Sequence, residues 1–271
     1  YQGIHKNPGP QYVRGIFPGN GNPPGDELYV TYSMNKEDIW VTSIPTPVTG
    51  VVADHVDDDF NAATTEADVA DWNLYMPQWA PISITNNPAQ KGEKVLELLD
   101  EEPYDYALAE RNFPVSEKVS IDFKVWIDDL KRGSYLAVEV HNDRGVRPLK
   151  LRFDEAWLSF SHFKTRGPNP VKLSLNNWYD VNLVVDCDVQ TYAVSVNGSV
   201  AHEAIAFGQE VESVSRLVFR TGPYRGGARR WLADSGEPRA GGMYREDLPG
   251  SEEKFGTNRF FINDVKTSVV K

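Results

Sequence analysis

The sequence lacks the features that define several large classes of protein. Its only cysteine is Cys187, so an intramolecular disulfide is impossible. It contains no apolar run long enough to cross a bilayer as a helix. With 28 basic and 39 acidic residues and a formal net charge of −11, it lacks the positive charge with which proteins neutralise nucleic-acid phosphates. We therefore expect no disulfide framework, no helical membrane span and no nucleic-acid partner.

Several catalytic signatures are also missing. The sequence contains no H-E-x-x-H, no P-loop, no G-x-S-x-G and no dinucleotide-binding fingerprint. These absences exclude zincins, nucleotide-dependent enzymes and α/β-hydrolases. No two acidic residues fall in a motif that marks the carboxylate pair of a glycosidase. Cys187, within "LVVDCDVQTY", is predicted to be a small buried strand residue rather than a nucleophile.

Helical periodicity is scarce, and short strand patterns dominate. Only "FNAATTEADVADW" and "EPYDYALAERNF" offer short helical segments. The remaining hydrophobic runs alternate with period two or are wholly apolar, and turn residues separate them, which predicts an all-β fold of the sandwich or jelly-roll type. Three tryptophans within these strand patterns are predicted to be core residues: Trp126, Trp157 and Trp178.

The C-terminal part carries a distinctive hairpin. Residues 176–204, "NNWYDVNLVVDCDVQTYAVSVNGSVAHEA", place a tryptophan-led strand before a hairpin centred on Asn197-Gly198, the preferred type I′ turn pair. This pattern resembles the laminin-G and concanavalin-like jelly rolls. "DDDFN" at residues 57–61 and "FFINDVKTSVV" at residues 260–270 resemble the opening and closing strands of that family, which pair with each other. The resemblance implies a β-sandwich but does not identify an activity.

The N-terminal part has a different sequence pattern. "QYVRGI", a Gly/Pro-rich loop and "LYVTYSMNKEDIWV" resemble the final blade of bacterial BNR-type, sialidase-like β-propellers. "SMNKEDIW" keeps the serine and tryptophan of the sialidase Asp-box, Ser-x-Asp-x-Gly-x-x-Trp, but lacks its glycine. We therefore expect two domains: residues 1–48 as the last blade segment of a propeller whose other blades lie outside this chain, and residues 49–271 as a concanavalin/laminin-G-like sandwich. Because the hairpin is apolar on both faces, it is expected to be buried between neighbours in the complete propeller.

Each resemblance implies site residues. In the propeller, Arg14 would bind a sugar carboxylate and Tyr12 and His5 would act in proton transfer. The alternatives are that Arg14 pairs with a structural carboxylate and that Tyr12 packs between blades. In the sandwich, a structural Ca²⁺ would be held by Asp59 and Asp264 near the first and last strands, although solvated strand ends are the alternative.

Sugar binding is expected at aromatic and basic side chains. Residues 222–256 show no strand or helix period, and loops of this length are usually functional, disordered or packed on another domain. Aromatic faces that stack on sugar rings are also available in "DWNLYMPQWAP" and "EPYDYA", with core packing as the alternative. The predicted substrate-binding residues are Tyr224, Arg225 and Trp231 in the loop, and Trp79 before it.

Together these features predict the C-terminal portion of a secreted, periplasmic or cell-surface bacterial carbohydrate-active enzyme. The parent would be an exo-acting glycoside hydrolase or a polysaccharide lyase on acidic or plant-type polysaccharide, with catalysis mainly in the propeller. This chain alone would lack a complete active site. Its partners would be the carbohydrate and the rest of the propeller, on the same or another polypeptide. The alternatives are a non-catalytic carbohydrate-binding module with calcium and a structural or adhesion domain.

Overall fold

Strands dominate the computed structural model, which describes residues 10–16, 27–34, 38–45, 51–69, 71–102, 106–131, 133–161, 169–222, 254 and 256–270. Within these residues there is no α-helix, and the one helical element is a single 3₁₀ turn, Glu66–Asp68. This turn lies in "FNAATTEADVADW", as predicted. The second helical prediction was wrong, because "EPYDYALAERNF" runs into a strand that begins at Leu108.

The N-terminal strands form a sheet of their own. It contains β1 (Pro10–Ile16), β2 (Glu27–Met34) and β3 (Asp38–Pro45), paired antiparallel in the order β1-β2-β3. The predicted hairpin corresponds to β2 and β3. The described strands do not close into a propeller, so the blade remains a prediction. Ile39, Trp40 and Val41 on the outer strand β3 are 83%, 52% and 57% exposed, so burial of this hairpin requires neighbours that the described residues do not supply.

The remaining strands, numbered in chain order, form two antiparallel sheets. The seven-stranded sheet has the order β13-β12-β11-β10-β17-β8-β5. Its strands are β5 (Trp72–Tyr75), β8 (Leu108–Ser116), β10 (Tyr135–His141), β11 (Leu149–Phe153), β12 (Trp157–Ser161), β13 (Val171–Lys172) and β17 (Val214–Gly222).

The eight-stranded sheet has the order β16-β15-β14-β9-β18-β7-β6, and β4 pairs with β18 outside this path. Its strands are β4 (Asp57–Asp58), β6 (Ile82–Asn86), β7 (Lys94–Asp100), β9 (Lys118–Asp129), β14 (Trp178–Asp186), β15 (Thr191–Val196), β16 (Ser199–Ala206) and β18 (Asn258–Val269). The pairing of Asp57 and Asp58 with Lys266 and Val265 confirms that the opening and closing strands are neighbours.

The hydrophobic core lies between these two sheets. Phe123 of the eight-stranded sheet contacts Phe153 and Phe219 of the seven-stranded sheet, with ring centroids 6.5 Å and 5.4 Å apart. Phe219 in turn contacts Trp72, at 6.0 Å. Apolar side chains from both sheets complete this layer. The described residues after position 51 therefore form an all-β antiparallel sandwich, which confirms the predicted fold class; a laminin-G or jelly-roll assignment goes beyond this.

Two local predictions are confirmed. Asn197 and Gly198 adopt φ of 50° and 74° between β15 and β16, which is the positive-φ pair of a type I′ turn. Cys187 is buried, and burial raises the pKa of its thiol to about 11. The thiolate is therefore scarce at neutral pH, as expected of a structural cysteine.

The prediction that three strand tryptophans lie in the core was wrong. Trp126 and Trp178 are only half-buried, and Trp157 is 43% exposed. In β9 and β14 the buried positions are those of the opposite parity, such as Phe123, Val125 and Val181. Trp126 and Trp178 therefore project from the outer side of the sheet, since successive strand residues point to opposite faces.

The described part of the chain contains no helix with the length and hydrophobicity required to cross a lipid bilayer.

Candidate functional site

The predicted propeller residues lie on or before the first strand. Tyr12 and Arg14 belong to β1, where Arg14 is the register partner of Thr31 on β2. The pairing shifts between Gln11 and Arg14, which marks an irregularity or bulge beside both candidates. His5 lies outside the described residues. The roles of these three residues therefore remain predictions.

Of the four predicted sugar-binding residues, the structure describes only Trp79. Tyr224, Arg225 and Trp231 lie outside the described residues, as does nearly all of the long loop. Trp79 is partly buried, and the Nζ of Lys254 lies 5.3 Å from the centroid of its ring. Its Nε1 is buried without a hydrogen-bond partner among the described residues. Trp79 thus contacts a cation, and its predicted sugar contact is untested.

The aspartates predicted to hold calcium have other contacts. Asp59 is exposed and accepts a hydrogen bond from the backbone N–H of Asn61 at 3.0 Å. Asp264 lies 2.7 Å from the Nζ of Lys124, and the two aspartates line different depressions. Within the described residues, no group of three or more His, Cys, Asp or Glu side chains could hold a metal ion. Calcium binding by Asp59 and Asp264 remains a prediction.

A different set of side chains meets on the outer side of the eight-stranded sheet. In β9, Val119, Ile121, Phe123, Val125 and Ile127 are buried, so Asp122, Lys124 and Trp126 project outwards. In β14, Tyr179, Val181, Leu183 and Val185 are buried, so Trp178, Asp180 and Asn182 project the same way. The alternation of apolar and polar residues in each strand therefore produces a polar outer face.

Register aligns these side chains in three rows across neighbouring strands. The first row is polar, the second is charged and the third is aromatic. The rows are Ser195–Asn182–Asp122–Lys266, Asp180–Lys124–Asn263 and Trp178–Trp126–Phe261. We call these residues the β9–β14 face. Since adjacent strands are about 4.8 Å apart, the first row spans about 14 Å.

Ion pairs and hydrogen bonds organise the charged and polar rows. Lys124 Nζ lies 2.7 Å from Asp264 Oδ2 and 3.7 Å from Asp180 Oδ1. The hydrogen bond to Asp264 raises the pKa of Lys124 above its usual 10.5, so this lysine is charged at neutral pH. Asn182 Nδ2 donates to Ser120 Oγ at 2.8 Å and to Asp122 Oδ1 at 2.7 Å. Both amide hydrogens of Asn182 are thus used, and its carbonyl oxygen has no hydrogen-bond partner among the described residues.

The aromatic row provides an apolar border. The rings of Trp126 and Trp178 meet edge to face with centroids 5.8 Å apart, and Trp178 Nε1 donates to Asn87 Oδ1 at 3.1 Å. In the part of the chain that the structure describes, neither Trp126 Nε1 nor Asn263 Oδ1 has a hydrogen-bond partner, and both atoms are buried. Asn263 is only 1% exposed. Because buried polar groups are nearly always paired, we expect an internal water at both atoms.

The face combines the two elements of a small-molecule site, namely aromatic surface and a few placed polar groups. Its polar residues line a depression of about 370 Å³ beside Asp264 and Gly198. Sequence reasoning did not select any residue of this face as a binding residue. The parity of "KVSIDFKVWIDD" was the signal that could have found it, because Trp126 shares the parity of Asp122 and Lys124.

A second charged cluster lies on the seven-stranded sheet. Glu139 of β10 is 4% exposed and accepts hydrogen bonds from Arg147 at 2.7 Å and Arg220 at 3.1 Å. His141 Nε2 lies 3.1 Å and Lys150 Nζ 3.7 Å from its carboxylate. Burial alone would raise the pKa of Glu139, but Arg220, His141, Arg147 and Lys150 together hold it well below its usual 4.5. Since Glu139 is buried among these cations, we assign the cluster to stability rather than to ligand binding.

Several solved structures are similar to this chain. A sialidase is similar over 98% of this chain, with a TM-score of 0.70 and 30% identity, and this chain spans 23% of its length. The cellulose-induced protein Cip1 is similar over 79% of this chain and 97% of its own, with a TM-score of 0.51 and 11% identity. An alginate lyase from Corynebacterium sp. is similar over 79% of this chain and 100% of its own, with a TM-score of 0.52 and 10% identity. The last two similarities show the fold alone.

Comparison with curated protein sequences finds no match. The family described as "Sialidase-like, CBM domain" matches residues 72–228, which is more than half of the chain. The matched region includes β9 and β14 and therefore much of the β9–β14 face. On this match, the chain belongs to the sialidase-like, CBM domain family, a family of carbohydrate-binding domains.

Proposed function

We propose that this chain is the C-terminal, carbohydrate-binding portion of an extracellular exo-acting glycoside hydrolase or polysaccharide lyase, and that it binds glycan at the β9–β14 face. The observation that carries the proposal is the placement of a polar, a charged and an aromatic row in succession on one side of one sheet. Aromatic rings cover the apolar faces of a sugar, and carboxylate, amide and hydroxyl groups bond to its hydroxyls. The face offers both kinds of group, and its polar and charged residues line the depression.

The polar and charged rows contain groups that can bind sugar hydroxyls. Asp122 and Asp180 each present carboxylate oxygens that can accept hydrogen bonds from sugar hydroxyls. Asn182 presents its side-chain carbonyl oxygen, while its amide nitrogen donates a hydrogen bond to Asp122. That bond fixes the orientation of the Asn182 side chain before a ligand arrives, which reduces the entropy lost on binding. Ser195 adds a hydroxyl at the end of the same row.

The catalytic part of the proposal places a β-propeller outside this chain. Residues 1–48 would belong to its last blade and residues 49–271 to the binding domain. Two observations support this division. The exposed apolar side chains of β3 require a neighbour, and the similar sialidase is about four times as long as the matched region, since this chain spans 23% of it. The shift in pairing beside Tyr12 and Arg14 fits a catalytic placement, because bulges are over-represented next to active sites.

We expect the double substitution Trp126→Ala and Trp178→Ala to weaken glycan binding by about 2–4 kcal/mol, or roughly 30- to 1,000-fold in Kd. The loss follows from removing the aromatic border of the site. Affinity electrophoresis against a panel of soluble polysaccharides, followed by titration calorimetry with those that bind, measures it. Trp157→Ala is the matched control, because Trp157 is 43% exposed on the other sheet.

Asn182→Ala separates loss of binding from loss of folding. This single change at a half-buried surface position leaves the core intact. We expect it to weaken binding by about 1–2 kcal/mol, because it removes the carbonyl acceptor of Asn182 and its hydrogen bond to Asp122. If glycan binding survives both Trp126/Trp178 removal and Asn182→Ala in a folded chain, the β9–β14 face is not the binding site.

The proposed parent predicts a longer native polypeptide. We expect the intact mass of the protein isolated from its source to exceed the 30.4 kDa of this chain by the mass of several propeller blades, or the chain to co-purify with a polypeptide that supplies them. Intact-mass spectrometry with N-terminal sequencing measures this. A native protein of 30.4 kDa without a partner would overturn the propeller proposal and leave the binding proposal standing.

A further inference from the structure

The charge of the β9–β14 face is unbalanced. Asp122, Asp180 and the adjacent Asp264 contribute three carboxylates, and Lys124 and Lys266 contribute two ammonium groups. The whole chain has the same sign of charge, with a formal net charge of −11. A sugar that binds here therefore meets a negative potential both locally and over the whole molecule.

Both lysines of the face are already engaged with carboxylates. Lys124 lies between Asp264 and Asp180, at 2.7 Å and 3.7 Å. Lys266 lies 2.9 Å from Asp57, on the neighbouring strand β4. Recruiting either ammonium group to a sugar carboxylate would require breaking an existing ion pair. None of the residues that define the face is an arginine, so it lacks the planar fork that binds carboxylates with two parallel hydrogen bonds.

Asp122 contributes most directly to the negative potential of the face. Its carboxylate accepts a hydrogen bond from the neutral amide of Asn182. Among the residues that the structure describes, no cation forms an ion pair with it. It lies in the middle of the polar row, between Asn182 and Lys266. A hydroxyl group can donate a proton to this carboxylate in a charge-assisted hydrogen bond, whereas a uronate carboxylate placed here would meet a like charge.

We infer that the β9–β14 face selects uncharged, hydroxyl-rich glycans and rejects uronate-containing ones. Of the two proposed parents this selectivity fits the glycoside hydrolase, since a polysaccharide lyase acts on uronate-containing chains. The inference rests on the proposed function, since it assumes that the face is the glycan site. Asp122 and Asp180 would determine the selectivity by accepting hydroxyl protons and repelling carboxylates.

The test compares glycans that differ only in charge. Polygalacturonate, alginate and hyaluronate are each used in native form and after chemical reduction of their carboxyl groups, together with a panel of neutral plant polysaccharides. Binding to the full 271-residue chain is measured by affinity electrophoresis and titration calorimetry. We expect binding to neutral members, and a carboxyl-reduced form to bind about tenfold or more tightly than its native form.

Two neutralising variants locate the selectivity. The double substitution Asp122→Asn and Asp180→Asn removes both charges without changing side-chain size, and we expect it to bring the ratio between reduced and native forms close to one. Asp143→Asn with Asp188→Asn is the matched control, because both residues are exposed turn positions away from the face. The control changes the total charge equally and is expected to keep most of the ratio.

The outcomes distinguish the two proposals. If native uronate polymers bind as tightly as the reduced ones, and Trp126→Ala with Trp178→Ala abolishes that binding, the face takes acidic glycans and the charge inference is wrong while the proposed site stands. If no polysaccharide of the panel binds in a way that depends on Trp126 and Trp178, the proposed site itself is wrong.

Discussion

Replacing Glu139 with glutamine is expected to lower the free energy of unfolding by about 3–5 kcal/mol, because it leaves a group of buried cations without their carboxylate. Glu139 is 4% exposed and receives Arg147 and Arg220 at 2.7 Å and 3.1 Å. Arg147 lies in the loop after β10, and Arg220 lies on β17, which pairs with β10. The loss would therefore loosen β10 and β17 together. Urea unfolding at pH 7, followed by circular dichroism, measures the change.

Glu203→Gln provides the control for this variant. Glu203 is exposed on β16, so the same chemical change there should alter stability by less than about 0.5 kcal/mol. An unfolding midpoint for Glu139→Gln that matches that of the control would show that the cluster does not stabilise the sandwich.

The pH dependence of Glu139 follows from the sign of its shift. Its folded-state pKa lies well below the usual 4.5, so the folded protein holds the proton less tightly than the unfolded chain. The stabilisation is therefore fully present above about pH 4.5 and is lost as pH falls through the folded pKa. The stability difference between the natural chain and Glu139→Gln should shrink below pH 4.5. A difference that grows on acidification would contradict this assignment.

Replacing Phe123 with alanine is expected to cost about 3–5 kcal/mol of stability, because it removes the ring that joins the two sheets and leaves a cavity. Phe123 is 1% exposed and meets Phe219 and Phe153 in edge-to-face contacts at 5.4 Å and 6.5 Å. Guanidinium unfolding, followed by tryptophan fluorescence, measures the effect.

The position of Phe123 also links the core to the proposed site. It lies between Asp122 and Lys124 in β9, so β9 carries core and binding residues on opposite sides. Phe123→Leu keeps most of the apolar volume and should cost about 1.5 kcal/mol or less. Equal stability of the alanine and leucine variants would show that the cavity does not account for the loss. The glycan affinity of the folded fraction of each variant shows whether binding at the β9–β14 face depends on the core residues beneath it.

Features that depend on nearby residues were predictable from the sequence. Alternating runs predicted the strands, and Asn197-Gly198 predicted a type I′ turn. The pairing of "DDDFN" with the terminal "FFINDVKTSVV" was predicted from the family resemblance instead. Alternation also determines which residues of a strand share a face. The error over Trp126 and Trp178 arose because aromatic character was weighted above parity, and their exposure could have been predicted from the buried neighbours Val125 and Val181.

The arrangement of strands was not predictable in the same way, because sheet neighbours are chosen by contacts between residues far apart in the chain. Glu139 meets Arg220, 81 positions away, only because β10 pairs with β17. The polar row forms only because β15, β14, β9 and β18 are adjacent and in one register. The sequence by itself determined that the chain is all-β and which side chains point outwards. The tertiary structure decided which of those side chains meet, since pairing over long separations depends on burying both sheets in one shared core.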